Sequence, residues 1–173
     1  GLQDVYVVET KGYLSDHYDP HRKVVRLSSD VYHLDSISSV AVAAHECGHA
    51  IQDKDNYTFM RIRAALVPFV NFSSYAGYIA IVIGIITGLV DIIWLGILFE
   101  VVILLFQLVT LPVEIDASKR ALKELEVRGT LNSEELTHSK KVLASAAMTY
   151  IASLATTLIE LLRLILIYGR RDD

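Results

Sequence analysis

Long apolar runs occupy the middle and the end of the chain. Over Ala64–Val90, 27 consecutive residues carry no charge, and a helix needs only about 20 apolar residues to cross the core of a bilayer. A second run, Ile92–Val113, contains a single charge, Glu100. Because only a short turn near Asp91 separates the two runs, they predict a transmembrane helical hairpin over residues 64–113.

A third apolar run extends over Val142–Tyr168 and holds only Glu160 and Arg163 as charges. It predicts a third crossing over residues 142–169. Charges inside a membrane are costly and usually face the protein interior or a wet cavity. We therefore expect either a structural contact between Glu100 and Arg163 or a catalytic role for these charged groups.

The segment between the second and third crossings, residues 114–141, is polar and has helical spacing. It is interrupted at "RGTLNSEE", where Gly129 is predicted to end one helix. Asn132 and Glu135 have the spacing of a capping box and are predicted to begin the next helix.

The first 63 residues have shorter patterns. The stretches "DVYVV" and "KVVRLS" are rich in β-branched residues, and "YDPHR" between them predicts a turn, so we expect a small sheet or hairpin. Asp35 or Ser36 is predicted to cap a helix over about residues 36–53. Its apolar positions follow helical spacing: Val40, Ala43, Ala44 and Ile51.

Composition agrees with a membrane protein. The hydrophobic content of 53% and the mean hydropathy of +0.41 exceed what a soluble domain usually carries. The net charge of −4 and the lack of a basic cluster argue against nucleic acid as a partner. A single cysteine, Cys47, excludes an intrachain disulfide framework.

The basic residues predict an orientation. Of 16 Lys and Arg residues, 13 lie in residues 1–63 and 114–141, and the turn near Asp91 has none. Basic residues accumulate in cytoplasmic segments of membrane proteins. Both polar segments are therefore predicted to be cytoplasmic, and the fold class is mainly α, integral membrane.

The stretch "AAHECGHAIQ" carries candidate chemistry. His45 and His49 are spaced i,i+4, which places both imidazoles on one helix face about 6 Å apart, within reach of one metal ion. Glu46 lies beside them, as the general base of an H-E-x-x-H site does. The alternative interpretation is a helix with an incidental polar stripe, but the small residues around the motif favour a packed metal site.

Zinc in catalytic sites takes three protein ligands and keeps one position for water. The segment "LPVEIDASKRA" offers Glu114 and Asp116 at the membrane face to which the hairpin returns. We prefer Glu114, which is expected at the start of a helix at the interface, with Asp116 as the second candidate and one Zn2+ per chain. The alternative is that these acids only cap a helix N-terminus.

Four stretches, "YDPHRKVVRLS", "AAHECGHAIQ", "LVPFVNFSS" and "FQLVTLPVEIDASKRAL", resemble the bacterial membrane-bound neutral zinc metallopeptidase family over nearly the whole chain. In its H-E-x-x-H motif and its later acidic segment, the chain is also similar to the gluzincins, the group that includes the membrane heat-shock protease and the CAAX prenyl endopeptidase. That resemblance implies Glu114 as a ligand in an E-x-x-x-D segment, but Ser118 stands where those relatives have Asp. It also implies a further membrane segment before Gly1.

The resemblance implies a zincin-like cytoplasmic subdomain, formed by a β-hairpin and catalytic helix over residues 1–63 and by ligand-bearing helices over 114–141. The implied activity is peptide hydrolysis in the bacterial inner membrane, with Glu46 activating water and the site facing the cytoplasm. The substrate would be a membrane-associated or misfolded polypeptide, and a membrane protein partner or an oligomer is also consistent with the pattern.

By resemblance to other gluzincins, the substrate is expected to pair with an edge strand formed by Val24, Val25, Arg26 and Leu27. An ordinary edge strand protected by Lys23 and Arg26 would have the same pattern. An oxyanion donor is expected but left open among His17, His21, His33 and Tyr150. The rival hypothesis is a membrane scaffold or regulatory protein with a structural or vestigial zinc site.

Overall fold

The computed structural model describes residues 2–169. The chain forms two compact units. One, the sheet unit, comprises the residues up to Met60 together with Pro112–Met148. The other, the membrane unit, comprises Arg61–Leu111 and the residues from Thr149 onward.

Three strands and five helices follow one another along the described chain. In chain order they are β1 (Tyr6–Thr10), β2 (His17–Asp19), β3 (Val24–Ser28), α1 (Ser29–His33), α2 (Ile37–Lys54), α3 (Thr58–Thr87), α4 (Val90–Val127) and α5 (Ser133–Tyr168). The predicted fold class, mainly helical with a small sheet near the N-terminus, is confirmed.

The sheet has the order β1-β3-β2. The two strands expected from the sequence, β1 and β3, pair in parallel, with Tyr6 opposite Val24. The hairpin instead joins β3 to the short antiparallel strand β2, with Tyr18 opposite Val25. The Asp19 carboxylate closes that turn by accepting the backbone N–H groups of His21 and Arg22, at 3.0 and 3.1 Å.

The predicted edge strand is wrong. The strand of Val24, Val25, Arg26 and Leu27 is β3, which is paired on both sides, so an added strand has no free hydrogen-bonding edge there. The physical reason is burial: Val25 is 1% exposed and Leu27 5%, and a central position covers such side chains best. The free edges are the outer sides of β1 and β2.

Helix α2 is packed on two sides within the sheet unit. The Ser36 hydroxyl caps it by accepting the Ser39 N–H at 3.1 Å, which confirms the predicted cap. On one side Ala50 packs in a cluster with sheet residues, and on the other Ala41 packs in a cluster with residues of α4 and α5. The helix that carries the H-E-x-x-H motif is therefore an interior helix of its unit.

Helices α3, α4 and α5 are each long and apolar enough to cross a membrane, with mean hydropathies of 1.8, 2.6 and 1.8 over their most apolar windows. This confirms the prediction of three helices of membrane-spanning length and composition. Apolar side chains on these helices are widely exposed, as lipid-facing residues of a membrane protein are: Phe69, Ile86 and Leu166 are examples.

Helix α4 carries both the second crossing and the predicted ligand segment. It continues through Pro112, so Glu114 lies within a helix of 38 residues and not at a helix start as expected. The alternative that Glu114 and Asp116 only cap an N-terminus is therefore excluded. A proline removes a single backbone donor, and long membrane helices with neighbouring partners tolerate this loss.

The predicted break between α4 and α5 is confirmed. Gly129 follows the end of α4 with a φ of +61°, a conformation that glycine adopts without strain. The Asn132 side chain accepts the N–H groups of Glu134 and Glu135 at 3.0 Å, and the Glu135 carboxylate accepts the Asn132 N–H at 2.8 Å. These contacts form the expected capping box.

Close helix packing characterises the membrane unit. A Cβ added to Gly84 of α3 would lie 2.5 Å from the Ile93 side chain of α4, so the missing side chain permits the close approach of the hairpin helices. Gly88, with a φ of +72°, forms the turn between them. Arg163 pairs with Glu160 on its own helix, at 3.9 Å, and not with Glu100 as predicted, because the i,i+3 spacing makes the local partner nearer.

Candidate metal centre

Three predicted ligands meet in the sheet unit. His45 and His49 lie one turn apart on α2, with ring centroids 4.8 Å apart and ring planes at 84°. The Oε2 atom of Glu114, on α4, lies 3.2 Å from His45 Nε2 and 3.6 Å from His49 Nε2. One ligand atom from each residue falls within 4.8 Å of the others, so the group is compact enough to hold one metal ion.

The second ring nitrogen of each histidine has its own partner. His45 Nδ1 lies 3.1 Å from the Ser118 hydroxyl oxygen, and His49 Nδ1 lies 2.9 Å from the Gln52 side-chain oxygen. Both Nε2 atoms are thereby left to face the Glu114 carboxylate. Two imidazoles and one carboxylate are a donor set that zinc favours, so the residues present fit that ion.

Asp116, the second candidate, lies outside the ligand group. Its carboxylate accepts hydrogen bonds from the Gln52 side-chain amide at 2.8 Å and from Arg120 Nε at 2.6 Å. Two residues along a helix rotate a side chain by about 200°, so Glu114 and Asp116 point to different faces of α4. The structure thus brings Glu114 to the histidines and assigns Asp116 to a neighbouring polar network.

Glu46 is 8% exposed and lies beside the ligand group. Burial raises the pKa of its carboxyl group, and nearby His49 and His45 oppose that rise. The charges of Glu114 and Asp16 act on Glu46 in the same direction as burial. Glu46 is therefore close enough to the group to interact electrostatically with all three of its members.

The electrostatics of the group favour a cation. Burial disfavours the imidazolium form of His49, but the hydrogen bond and the negative charge of Glu114 outweigh that effect, so the pKa of His49 is raised. The Glu114 side chain, 3% exposed, is thus a buried negative charge with little access to water. Such a carboxylate needs a positive partner, either a proton or a metal ion, held between it and the imidazoles.

Gly48 explains how the two ligand-bearing helices come so close. A Cβ at this position would lie 2.4 Å from the backbone oxygen of Ala117, which is too short for any real contact. Ala117 is itself fully buried. The glycine between the two histidines therefore permits α2 and α4 to touch at the level where Glu114 meets the ring nitrogens.

Sequence patterns did not reveal the polar network behind the ligands. Gln52 bonds His49 and the Val113 carbonyl, and Arg120 links Asp116 to Asp55. The one available signal was the i,i+3 spacing from His49 to Gln52, which places both on one helix face.

The four oxyanion candidates stay unresolved. His33 pairs with Glu9 at 3.3 Å, and His17 Nδ1 bonds the Ser15 carbonyl at 2.7 Å. His21 is exposed in the β2–β3 turn, and Tyr150 belongs to α5 in the membrane unit.

Comparison with known proteins gives a consistent result. Residues 1–169 match the family described as "Putative neutral zinc metallopeptidase". The chain is 43% identical over 174 residues to the "Putative membrane protease YugP" of Bacillus subtilis (strain 168), a match that covers 100% of this chain and 77% of that protein. No solved structure matches the chain. Since the family match spans nearly the whole sequence, and the cluster of two imidazoles and a carboxylate suits the metal in its description, the chain belongs to this family of neutral zinc metallopeptidases.

Proposed function

We propose that this protein is an integral-membrane zinc endopeptidase of the H-E-x-x-H type, in which His45, His49 and Glu114 hold one Zn2+ per chain. The observation that carries the proposal is the convergence of a buried carboxylate on both Nε2 atoms, at 3.2 and 3.6 Å, from a helix remote in sequence. A bound zinc ion would supply a Lewis acid that polarises a peptide carbonyl and acidifies water.

Glu46 is the proposed general base. Its carboxylate adjoins the ligand group but belongs to a residue that is not a ligand, so its oxygens remain available to a water molecule. In this role the carboxylate accepts the proton of the attacking water and delivers it to the nitrogen of the leaving amine. Because Glu46 is buried, bulk water has little access to this proton.

The proposed substrate is a polypeptide, because the Bacillus relative is named a protease. We propose that it is membrane-associated, because Glu114 lies on a helix that is also long and apolar enough to cross a membrane. Of the two strands with a free edge, β2 is the one that packs against α2. Asp16, next to β2, is also close enough to Glu46 for its negative charge to act on that residue. The strand is anchored to α2 by the Tyr18 hydroxyl, which donates to Asp53 at 2.8 Å. An extended peptide would bind beside the site by pairing with the outer edge of β2.

We further propose that the protein is a multi-pass protein of the bacterial cytoplasmic membrane with its site facing the cytoplasm. The distribution of 13 of 16 basic residues in residues 1–63 and 114–141 supports this orientation. The turn that connects α3 to α4 would then lie on the opposite side of the membrane.

Cysteine labelling should show this topology. A membrane-impermeant maleimide is expected to label Leu89→Cys in intact cells, because this exposed residue lies in the α3–α4 turn. Thr130→Cys, exposed between α4 and α5, should be labelled only after the cells are opened. The unmodified chain, with Cys47 alone, is the background control. Labelling of Thr130→Cys in intact cells would contradict the orientation.

Metal removal tests the proposed activity. The detergent-purified protein should contain one zinc per chain by elemental analysis and hydrolyse an unfolded casein-like substrate. Because the three ligands surround one ion, a strong chelator is expected to abolish hydrolysis, and added Zn2+ should restore it. The same chelator saturated with zinc is the control.

Two outcomes of that experiment would contradict the proposal. Hydrolysis that persists in the metal-free protein would exclude a zinc mechanism. Stoichiometric zinc without any hydrolysis would instead favour the rival hypothesis, a membrane scaffold or regulatory protein with a structural metal site.

A further inference from the structure

The Gln52 side chain makes three hydrogen bonds beside the candidate metal centre. It is fully buried, at 0% exposure, on α2 one turn after His49. Its amide nitrogen donates to the Val113 carbonyl and to the Asp116 carboxylate, both at 2.8 Å. Its oxygen lies 2.9 Å from His49 Nδ1. Both acceptors that face the amide nitrogen and the ring nitrogen that faces the amide oxygen are thus engaged.

The orientation of this amide follows from the chemistry of its partners. The Val113 carbonyl and the Asp116 carboxylate are both acceptors, so only the NH2 group of Gln52 satisfies them. The opposite orientation would place the amide oxygen against two other oxygens and leave a buried donor unpaired, which is costly. The Gln52 oxygen must therefore face His49.

This orientation determines the state of His49. An amide oxygen only accepts hydrogen bonds, so the Nδ1 atom facing it must carry the proton. In a neutral imidazole the other nitrogen then bears the lone pair, and here that nitrogen is the Nε2 atom 3.6 Å from Glu114. We infer that Gln52 is a positioning residue that sets the tautomer of His49 and directs its Nε2 lone pair into the ligand group.

The Gln52 amide is itself hydrogen-bonded to the carboxylate of Asp116. Asp116 accepts from Gln52 and is itself held by Arg120, which also pairs with Asp55 just after α2. The negative charge of Asp116 polarises the amide and strengthens its oxygen as an acceptor. The Asp116 carboxylate thus acts on His49 through the intervening Gln52 side chain.

His45 has a weaker partner. The Ser118 hydroxyl at 3.1 Å both donates and accepts, so it leaves either tautomer of His45 possible. Position 118 carries a hydroxyl and not an acid, and the contact that leads to an acid is made by the second histidine instead. The inference rests on the proposed metal site. It predicts that loss of the hydrogen bond to His49 Nδ1 weakens zinc binding more than loss of the hydrogen bond to His45 Nδ1.

Substitution of Gln52 tests this role through zinc affinity, measured by competition with a chromophoric chelator. Gln52→Met fills the space but removes the acceptor, and it should weaken Zn2+ binding about 10–100-fold. Both variants lose the N–H donors to Val113 and Asp116, but only Gln52→Glu keeps an acceptor oxygen toward His49, so Gln52→Glu should bind zinc more tightly than Gln52→Met. Gln107→Met removes a half-buried glutamine of the membrane unit that donates to Ser153 and Thr157, and it should leave zinc affinity unchanged.

A spectroscopic measurement separates tautomer control from a general structural effect. Histidine-selective 15N labelling should show a slowly exchanging Nδ1–H proton of His49, assigned by its loss in His49→Ala. The signal is expected in the metal-free and zinc-loaded protein and in Gln52→Glu, and it should vanish in Gln52→Met. Native zinc affinity together with an intact Nδ1–H signal in Gln52→Met would overturn the inference.

Neither readout depends on proteolysis. If the wild-type protein binds zinc, and Gln52→Met both weakens binding and loses the Nδ1–H signal, the inference stands even where no peptide is hydrolysed. If the wild-type metal-free protein lacks the protected Nδ1–H signal, the inference fails whether or not the protein is a peptidase.

Discussion

Glu46→Gln is expected to abolish peptide hydrolysis while one zinc ion stays bound. Glutamine has nearly the shape of glutamate but does not accept a proton at neutral pH, so the general base is lost and the ligand group is kept. General base catalysis contributes about 10²–10⁴-fold to such reactions. We therefore expect a fall in kcat of at least that size, measured on an unfolded casein-like substrate, with zinc content determined in parallel.

Glu124→Gln is the matched control for this substitution. Glu124 lies on α4, outside the ligand group, and pairs with Arg128 at 2.9 Å on the helix surface. A surface pair of this kind contributes little to stability, so this variant should cleave at the native rate. A Glu46→Gln protein that hydrolyses the same substrate as fast as the wild type would refute the proposed role of Glu46.

Glu114→Gln is expected to have the largest effect on metal binding. It replaces the charged member of the ligand group by a neutral amide, and the buried site then offers zinc two imidazoles without a compensating negative charge. The loss in zinc affinity should exceed the roughly 10–100-fold that the removal of an outer partner costs. Competition titration with a chromophoric chelator measures it.

Asp116→Asn is the comparison that decides between the two acids. This variant keeps the three ligands and changes only the group that accepts from Gln52 and Arg120. Its zinc affinity should fall no further than the range expected for an outer partner. A larger loss in Asp116→Asn than in Glu114→Gln would show that Asp116, and not Glu114, completes the site.

The long helices were predictable because their signal is local. A run of apolar residues predicts a membrane crossing without reference to any distant part of the chain. The Ser36 cap and the Asn132–Glu135 capping box are equally local, and the structure contains both. The continuity of α4 through Pro112 was not predictable in this way, since a proline is compatible with either a break or a tolerated gap in a helix.

The pairing of the strands, in contrast, was not predictable from local patterns. Strand pairing joins residues that are distant in sequence, and β-branched stretches reveal strands but not their neighbours. The three-residue strand β2 has no clear pattern of its own, so the sequence does not show that β3 has a second neighbour. Its place between β1 and β2 also changes where a substrate strand is expected to bind.

By itself the sequence determined the helix that carries the H-E-x-x-H motif, the three membrane-length segments and the pair of histidines one turn apart, because each depends on the pattern within a single stretch of chain. Only the tertiary structure decided that Glu114 and not Asp116 reaches those histidines, and that Gln52 connects His49 to the second of these acids. Both outcomes depend on the contact between α2 and α4 at Gly48, where the missing side chain lets Gly48 approach Ala117, 69 positions later in the sequence. Such a contact is set by how whole elements pack, and no spacing within either helix encodes it.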